Sequence, residues 1–207
     1  MFGLTRKELA VLKRLNTPQK IQDFLDKLPI NFEKKGETCM SVRRVLRERK
    51  AHCIEGAFVA AAALALRGQE PLFLDFKTEG DEDHVVALYK QNGHWGAISK
   101  TNHAVLRFRD PIYRTPRELA LSYFHEYFII GFGRKSLRSY SLPFSLKPFG
   151  NSWVTSEEDL WDIPEAIDKS THFPLIPPRQ KHLIRRVSAF ERKISYMAEW
   201  TRKNPRT

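Results

Sequence analysis

The run from Cys53 to Arg67 constrains this chain more than any other segment. It begins Cys-Ile-Glu-Gly-Ala-Phe-Val and continues through alanines and leucines to Gly68. Alanine and leucine are strong helix formers and glycine is a common stop, so the run predicts a helix. That helix is apolar nearly all round, which predicts a place at the centre of the fold. Its small side chains allow a sheet to approach closely.

The flanking sequence supplies the sheet. Upstream, Thr17-Pro18 provides a cap and a first-turn proline, and Ile21, Phe24, Leu25 and Leu28 recur at helical spacing until Pro29. A second helix is predicted over about 41–49, with Val42, Val45 and Leu46 on its apolar face. After Gly68 the pattern changes to short β segments at 71–76, 84–89 and 95–99, with a fourth at 104–109. Asn92-Gly93, between the second and third, is a strong hairpin signal. Helices followed by an antiparallel meander give an α+β fold, with the cysteine-bearing helix packed on the meander.

Further along, 116–128 reads as a surface helix, 139–149 as one or two strands, and 156–169 as a helix that Pro164 interrupts or begins. Over 180–201, Leu183, Ile184, Val187, Phe190, Ile194 and Met197 fall on one face and predict a long amphipathic helix. The expected organisation is an α+β domain over 1–150 and a helical C-terminal extension over 151–207, either packed on it or projecting. The 207 residues, 42% of them hydrophobic, suffice for one substantial core.

Cys53 stands in the first turn of the central helix, where unpaired N–H groups and the positive dipole end favour a thiolate. A free cysteine is often only a small buried hydrophobe. The hairpin downstream sets this one apart. If Asn92 and Gly93 form a two-residue turn, Gln91 faces His94 and continued pairing puts His84 opposite Thr101, with Ser99 diagonal to it. His84, Ser99 and Thr101 then share a face, and a small hydroxyl could orient the imidazole. Asn102 follows where the chain must turn and could also reach the ring. Asp110 has the chemistry for an orienting carboxylate but falls at the far end of the fourth strand.

A cysteine opening a buried helix, a histidine opening a later strand, and Trp95 on the strand after a glycine turn resemble, in that order, the transglutaminase-like superfamily, specifically its small bacterial-type members. The resemblance covers about residues 17–112 and implies a papain-like Cys-His arrangement, with Cys53 as nucleophile and His84 as base. In that family an aspartate on the next strand orients the histidine. Counting four residues on from Trp95, where that aspartate often stands, gives Ser99. Either Asn102 substitutes, as asparagine does in papain-like sites, or the triad lacks its acid. The family also commonly has an aromatic residue shortly after the cysteine, where this chain has Glu55 and Gly56. The implied activity is acyl transfer or amide hydrolysis on a peptide or protein amide, with no cofactor. The rival expectation is an inactive module of the same fold that binds an acidic protein or nucleic acid through its basic surface.

The remaining features narrow the field. The chain carries 35 Lys and Arg against 24 Asp and Glu, a net charge of +11, concentrated at 43–50 and over 179–206. Such an excess attracts anions, and the basic C-terminal helix is the expected face for an acidic partner. Nucleic acid is not the expected partner, since no zinc-finger spacing or RNA-recognition aromatic motif accompanies the charge. Asp81-Glu82-Asp83, just before His84, is either a solvated turn or a source of charge for the imidazole. His52, beside the cysteine, is a second candidate base, but sequence neighbours at a helix start point apart, so a surface or capping role is the preferred reading; no histidine has metal-ligand spacing, so no metal is expected. No apolar run approaches a membrane span, and Met1–Glu8 carries no signal core. With only two cysteines, these features point to a reducing cytoplasm.

Overall fold

A computed structural model describes residues 2–34 and 36–201. Helix α1 (Arg6–Arg14) opens on a capping box in which Thr5 and Glu8 satisfy each other's backbone N–H groups, a helix the sequence reading above does not include. The Thr17 hydroxyl caps α2 (Pro18–Asp26) as the sequence leads one to expect, and the Ser41 hydroxyl caps α3 (Val42–Glu48). The central helix is α4 (Cys53–Ala65), and every residue from Ile54 to Leu64 is buried.

The fold is α+β, with an open seven-stranded antiparallel sheet among the described residues. Strands β1 (Leu72–Thr78), β2 (His84–Gln91), β3 (His94–Ile98) and β4 (Arg109–Tyr113) form the meander. Beyond α5 (Pro116–Tyr123), β5 (Leu137–Ser141) and β6 (Phe144–Ser145) pair with β1, and β7 (His172–Pro174) pairs with β5. Alternation along the strands divides the core in two. Phe73, Val85, Ala87, Tyr89 and Ile98 face α4 and the other N-terminal helices. Leu74, Phe76, Val86, Leu88 and Ala97 face Leu119, Ala120 and Tyr123 of α5.

The Asn92-Gly93 turn sets the register as the sequence reading requires: Gln91 pairs with His94, and the ladder runs to Ala87 opposite Ile98. The fourth strand differs from expectation. Gln22 of α2 grips the backbone of Ser99, accepting from its N–H at 3.0 Å and donating to its carbonyl at 2.8 Å. Glu126 accepts from the Leu106 N–H at 2.7 Å, and Leu106 has a φ of 64°. The chain therefore loops out over 99–108 and rejoins the sheet only at Arg109, opposite Ala97. Leu106 and Phe108 still turn inward, Phe108 stacking on Tyr89 at 5.8 Å.

Residues after 150 contribute to the same core. Trp153 and Val154 of α6 (Ser152–Thr155) and Ile163 and Ile167 of α7 (Asp162–Asp168) join the α4 side. The long helix expected over 180–201 is not formed; the segment contains two 3-10 turns, Pro178–Leu183 and Glu191–Tyr196. Leu183, Phe190, Ile194 and Met197 are exposed, and of the six residues on the expected apolar face only Val187 is buried. The backbone is held in the body at both ends instead: Val187 N–H donates to Gly133 O and Glu199 N–H to Asn102 O, both at 2.9 Å. An N–H inside a helix is already committed to the carbonyl four residues back, so at Val187 and Glu199 tertiary pairing overrides the helical period.

Gly56 and Lys100 fix how closely α4 approaches the loop after β3. A Cβ on Gly56 would lie 2.4 Å from Lys100 Cβ. The Lys100 ammonium, meanwhile, is anchored on the carbonyls at the end of α2, Leu25 O at 2.9 Å and Leu28 O at 2.5 Å. Gly56→Ala gains helix propensity of about 1 kcal/mol, but the clash falls near the backbone and not on a mobile side-chain end. Overpacking costs about 1–3 kcal/mol. The expected net outcome is a lower urea midpoint, and an unchanged or raised midpoint would contradict this packing.

Candidate active site at the start of the central helix

A cavity of about 400 Å³ opens where the N-terminus of α4 meets the start of β2. Cys53, His52 and His84 line it, together with Lys100–His103 from the loop after β3 and Glu126–Phe128 from beyond α5. Cys53 is half-buried, whereas Cys39 is fully buried with its thiol pushed up by burial and by the charge of Glu55.

His84 is oriented as the hairpin register predicts. Its Nε2 lies 2.8 Å from Ser99 Oγ, and Ser99 Oγ donates its own proton to Leu106 O at 2.6 Å. With that proton committed, Ser99 accepts from His84, which places hydrogen on Nε2 and leaves Nδ1 as the basic nitrogen. Asn102 lines the cavity but does not hold the ring: its Oδ1 accepts from Trp200 N–H at 2.8 Å and its Nδ2 donates to Trp200 O at 3.0 Å. The backbone of residue 200 has taken the amide, so Ser99 alone of the two sequence candidates contacts the imidazole. Asp110 is exposed on β4.

Two groups absent from the sequence-based site complete the arrangement. His52 is the N-cap residue of α4, and its ring lies between the sulfur and a carboxylate: Nδ1 is 4.0 Å from Cys53 Sγ, while Nε2 is 2.7 Å from Thr38 O and 3.4 Å from Glu55 Oε1. Glu55 is fully buried and surrounded by donors. Its oxygens accept from Thr38 Oγ1 at 2.8 Å, Met40 N–H at 3.0 Å and His52 N–H at 2.9 Å. The signal in the sequence was a capping box with histidine in place of serine or threonine at its head. The second group is Tyr127, a 3% exposed residue of the cavity lining whose buried hydroxyl meets no hydrogen-bond partner among the described residues. Burial raises its pKa well above the ordinary value, so it remains a donor.

Burial alone would disfavour a thiolate at Cys53, but hydrogen bonds and charge from His52 and His84 outweigh it and bring the thiol down to about 5. For His52 burial likewise opposes charge, and the contacts with Cys53, Glu55 and Thr38 O raise its pKa to about 10. Between these values the favoured state is a thiolate beside an imidazolium backed by a buried carboxylate.

No protein-family model matches this sequence, and no curated protein is significantly similar to it. No helix among the described residues is long and apolar enough to cross a membrane, and no group of three or more His, Cys, Asp or Glu among them is placed to hold a metal ion. The mouth of the cavity is acidic although the chain is basic. Asp83 is paired with Lys77 at 2.9 Å, but Asp81 and Glu82 form no ion pair among the described residues.

The rate of Cys53 alkylation by iodoacetamide should be half-maximal near pH 5, falling about tenfold per unit below that as the thiolate is protonated. His52→Ala and His84→Ala should each shift the midpoint upward, with mass spectrometry confirming that Cys39 stays unlabelled in the folded protein. A midpoint that stays near 9 in the wild type would show that the imidazoles do not act on the sulfur.

Proposed function

We propose that this protein is a cysteine-dependent acyl transferase or amide hydrolase of transglutaminase-like type. The observation that carries the reading is that Cys53 and His84 line one cavity, with the buried Ser99 hydroxyl behind the ring committing His84 to the tautomer a base requires. Cys53 Sγ attacks an amide or thioester carbonyl, with His84 Nδ1 holding the thiol proton. Collapse of the tetrahedral adduct forms an acyl thioester on Cys53 and expels the amine or thiol, which takes that proton from His84. Water or an amine then attacks the thioester, gives a proton to His84, and releases the sulfur.

The developing oxyanion needs two donors. Cys53 is the first residue of α4, so its N–H is among those a helix leaves without an internal partner. We assign the second to the Tyr127 hydroxyl, because Tyr127 belongs to the cavity lining and its hydroxyl meets no hydrogen-bond partner among the described residues. His52 serves a different purpose: as a cation held by Glu55 it stabilises the thiolate, leaving His84 to move the proton. Uncompensated carboxylates at the mouth support a peptide substrate carrying basic side chains.

The test is turnover on a panel of lysine-containing and acidic peptide amides and thioesters, following amine or thiol release. Cys53→Ala should abolish it and His84→Ala should lower it by about 10³-fold or more. Tyr127→Phe should lower kcat about 10²-fold, the scale of one oxyanion donor, while leaving the Cys53 alkylation rate nearly unchanged. An unreactive Cys53 would instead favour the non-catalytic module that binds an acidic partner.

A further inference from the structure

The loop carrying Asn102 and His103 forms the rim of the cysteine cavity, and it is already occupied by a segment of this chain. Residue 198 bridges His103 in antiparallel fashion, and the Glu199 N–H donates to Asn102 O at 2.9 Å. Both amide atoms of Asn102 bond both backbone groups of residue 200, at 2.8 and 3.0 Å. This recognises extended main chain and reads no side chain. Two side-chain contacts add to it: Arg107 donates to Glu199 at 2.8 Å, and Trp200, 4% exposed, lies with the Lys100 ammonium 5.8 Å from its ring centroid. Ser195 of the same segment lines the cavity that Cys53 lines. In the chain leading into this anchor Phe190, Tyr196 and Met197 are exposed.

We infer that the Asn102–His103 edge is a peptide-backbone subsite of the cysteine cleft, and that residues 198–200 are its displaceable occupant. The inference rests on the function proposed above and specifies its substrate as extended polypeptide. A peptide would add to the edge as a strand, taking from Asn102 the bonds that residue 200 now makes. Main-chain pairing supplies the affinity, and Arg107 and the surface that Trp200 covers supply the selectivity.

The probe is a fluorescent peptide of residues 194–201, with binding to the full-length protein followed by anisotropy. In the wild type the resident segment competes and binding should be weak. Glu199→Arg puts a cation against Arg107 and should loosen the resident segment, so that the native peptide binds at least tenfold more tightly. Trp200→Ala serves as a second opening variant should the first alter folding. Adding Asn102→Ala to either variant should remove the gain, and bound peptide should slow iodoacetamide labelling of Cys53. Equal binding to wild type and both opening variants, or a gain that survives Asn102→Ala, would overturn the subsite. Anisotropy does not depend on Cys53 chemistry, which separates the two failures. Rapid Cys53 labelling with no peptide gain removes the subsite and leaves the proposed reaction standing. An inert Cys53 with an Asn102-dependent gain removes the reaction and keeps the peptide edge.

Discussion

A single buried carboxylate organises the part of the molecule on which everything at the cavity depends. Taking a carboxylate out of water costs several kcal/mol, and Glu55 offsets that by accepting from Thr38, from the N–H groups of Met40 and His52, and, at 3.3–3.4 Å, from Asn31. Hydrogen bonds to a charged group contribute about 1.5–3 kcal/mol each. These donors come from four points in the chain, so satisfying one side chain fixes the 31–40 segment against the start of α4. It also sets the angle of the His52 ring. The same contacts that let α4 begin inside the protein therefore determine which face of the sulfur meets a cation.

On the proposed reading that arrangement divides labour between two histidines. His52 is tied to Thr38 O and Glu55 on the helix side, and His84 to Ser99 on the sheet side, with Cys53 placed where the layers meet. A ring hydrogen-bonded to a carbonyl and backed by a carboxylate holds charge. The His84 ring pairs with no carboxylate among the described residues; the Ser99 hydroxyl holds it on one side and it meets the Cys53 sulfur on the other. Coupling between layers runs through α2 as well: Gln22 grips the Ser99 backbone and the last turn of α2 takes the Lys100 ammonium. Burial lowers that ammonium to about 8.

The sheet geometry was legible because two local rules leave little freedom. A two-residue Asn-Gly turn fixes the pairing of its neighbours, and strand alternation carries that register along the hairpin to His84 and Ser99. The features that escaped were those decided by distant partners. Val105 to Phe108 carry a strand composition, but Gln22 holds the backbone before them at Ser99 and Glu126 takes the Leu106 N–H within them. The segment 180–201 has a helical period, but of the six residues on that apolar face only Val187 is buried, and backbone N–H groups near its two ends go to Gly133 and Asn102. Asn102 looked available for the imidazole because nothing in its neighbourhood announces Trp200, 98 positions away. Glu55 was visible, but as a departure from a family pattern and not as a member of the site.

The serine beside His84 then has a structural reason. Its hydroxyl both accepts from the ring and donates to Leu106 O at 2.6 Å. An aspartate there would set an anion against that carbonyl with no proton between them. On the proposed reading the site therefore stabilises charge on the sulfur side and only orients on the base side. A thiolate of low pKa is less nucleophilic but leaves more readily from a thioester, with a Brønsted sensitivity of about 0.4–0.5. Such a balance slows attack on an unactivated amide more than it slows breakdown of the acyl enzyme. Transfer from an activated donor gains most from it, so among the substrates considered above a thioester should outpace its matched amide by more than their intrinsic reactivities predict.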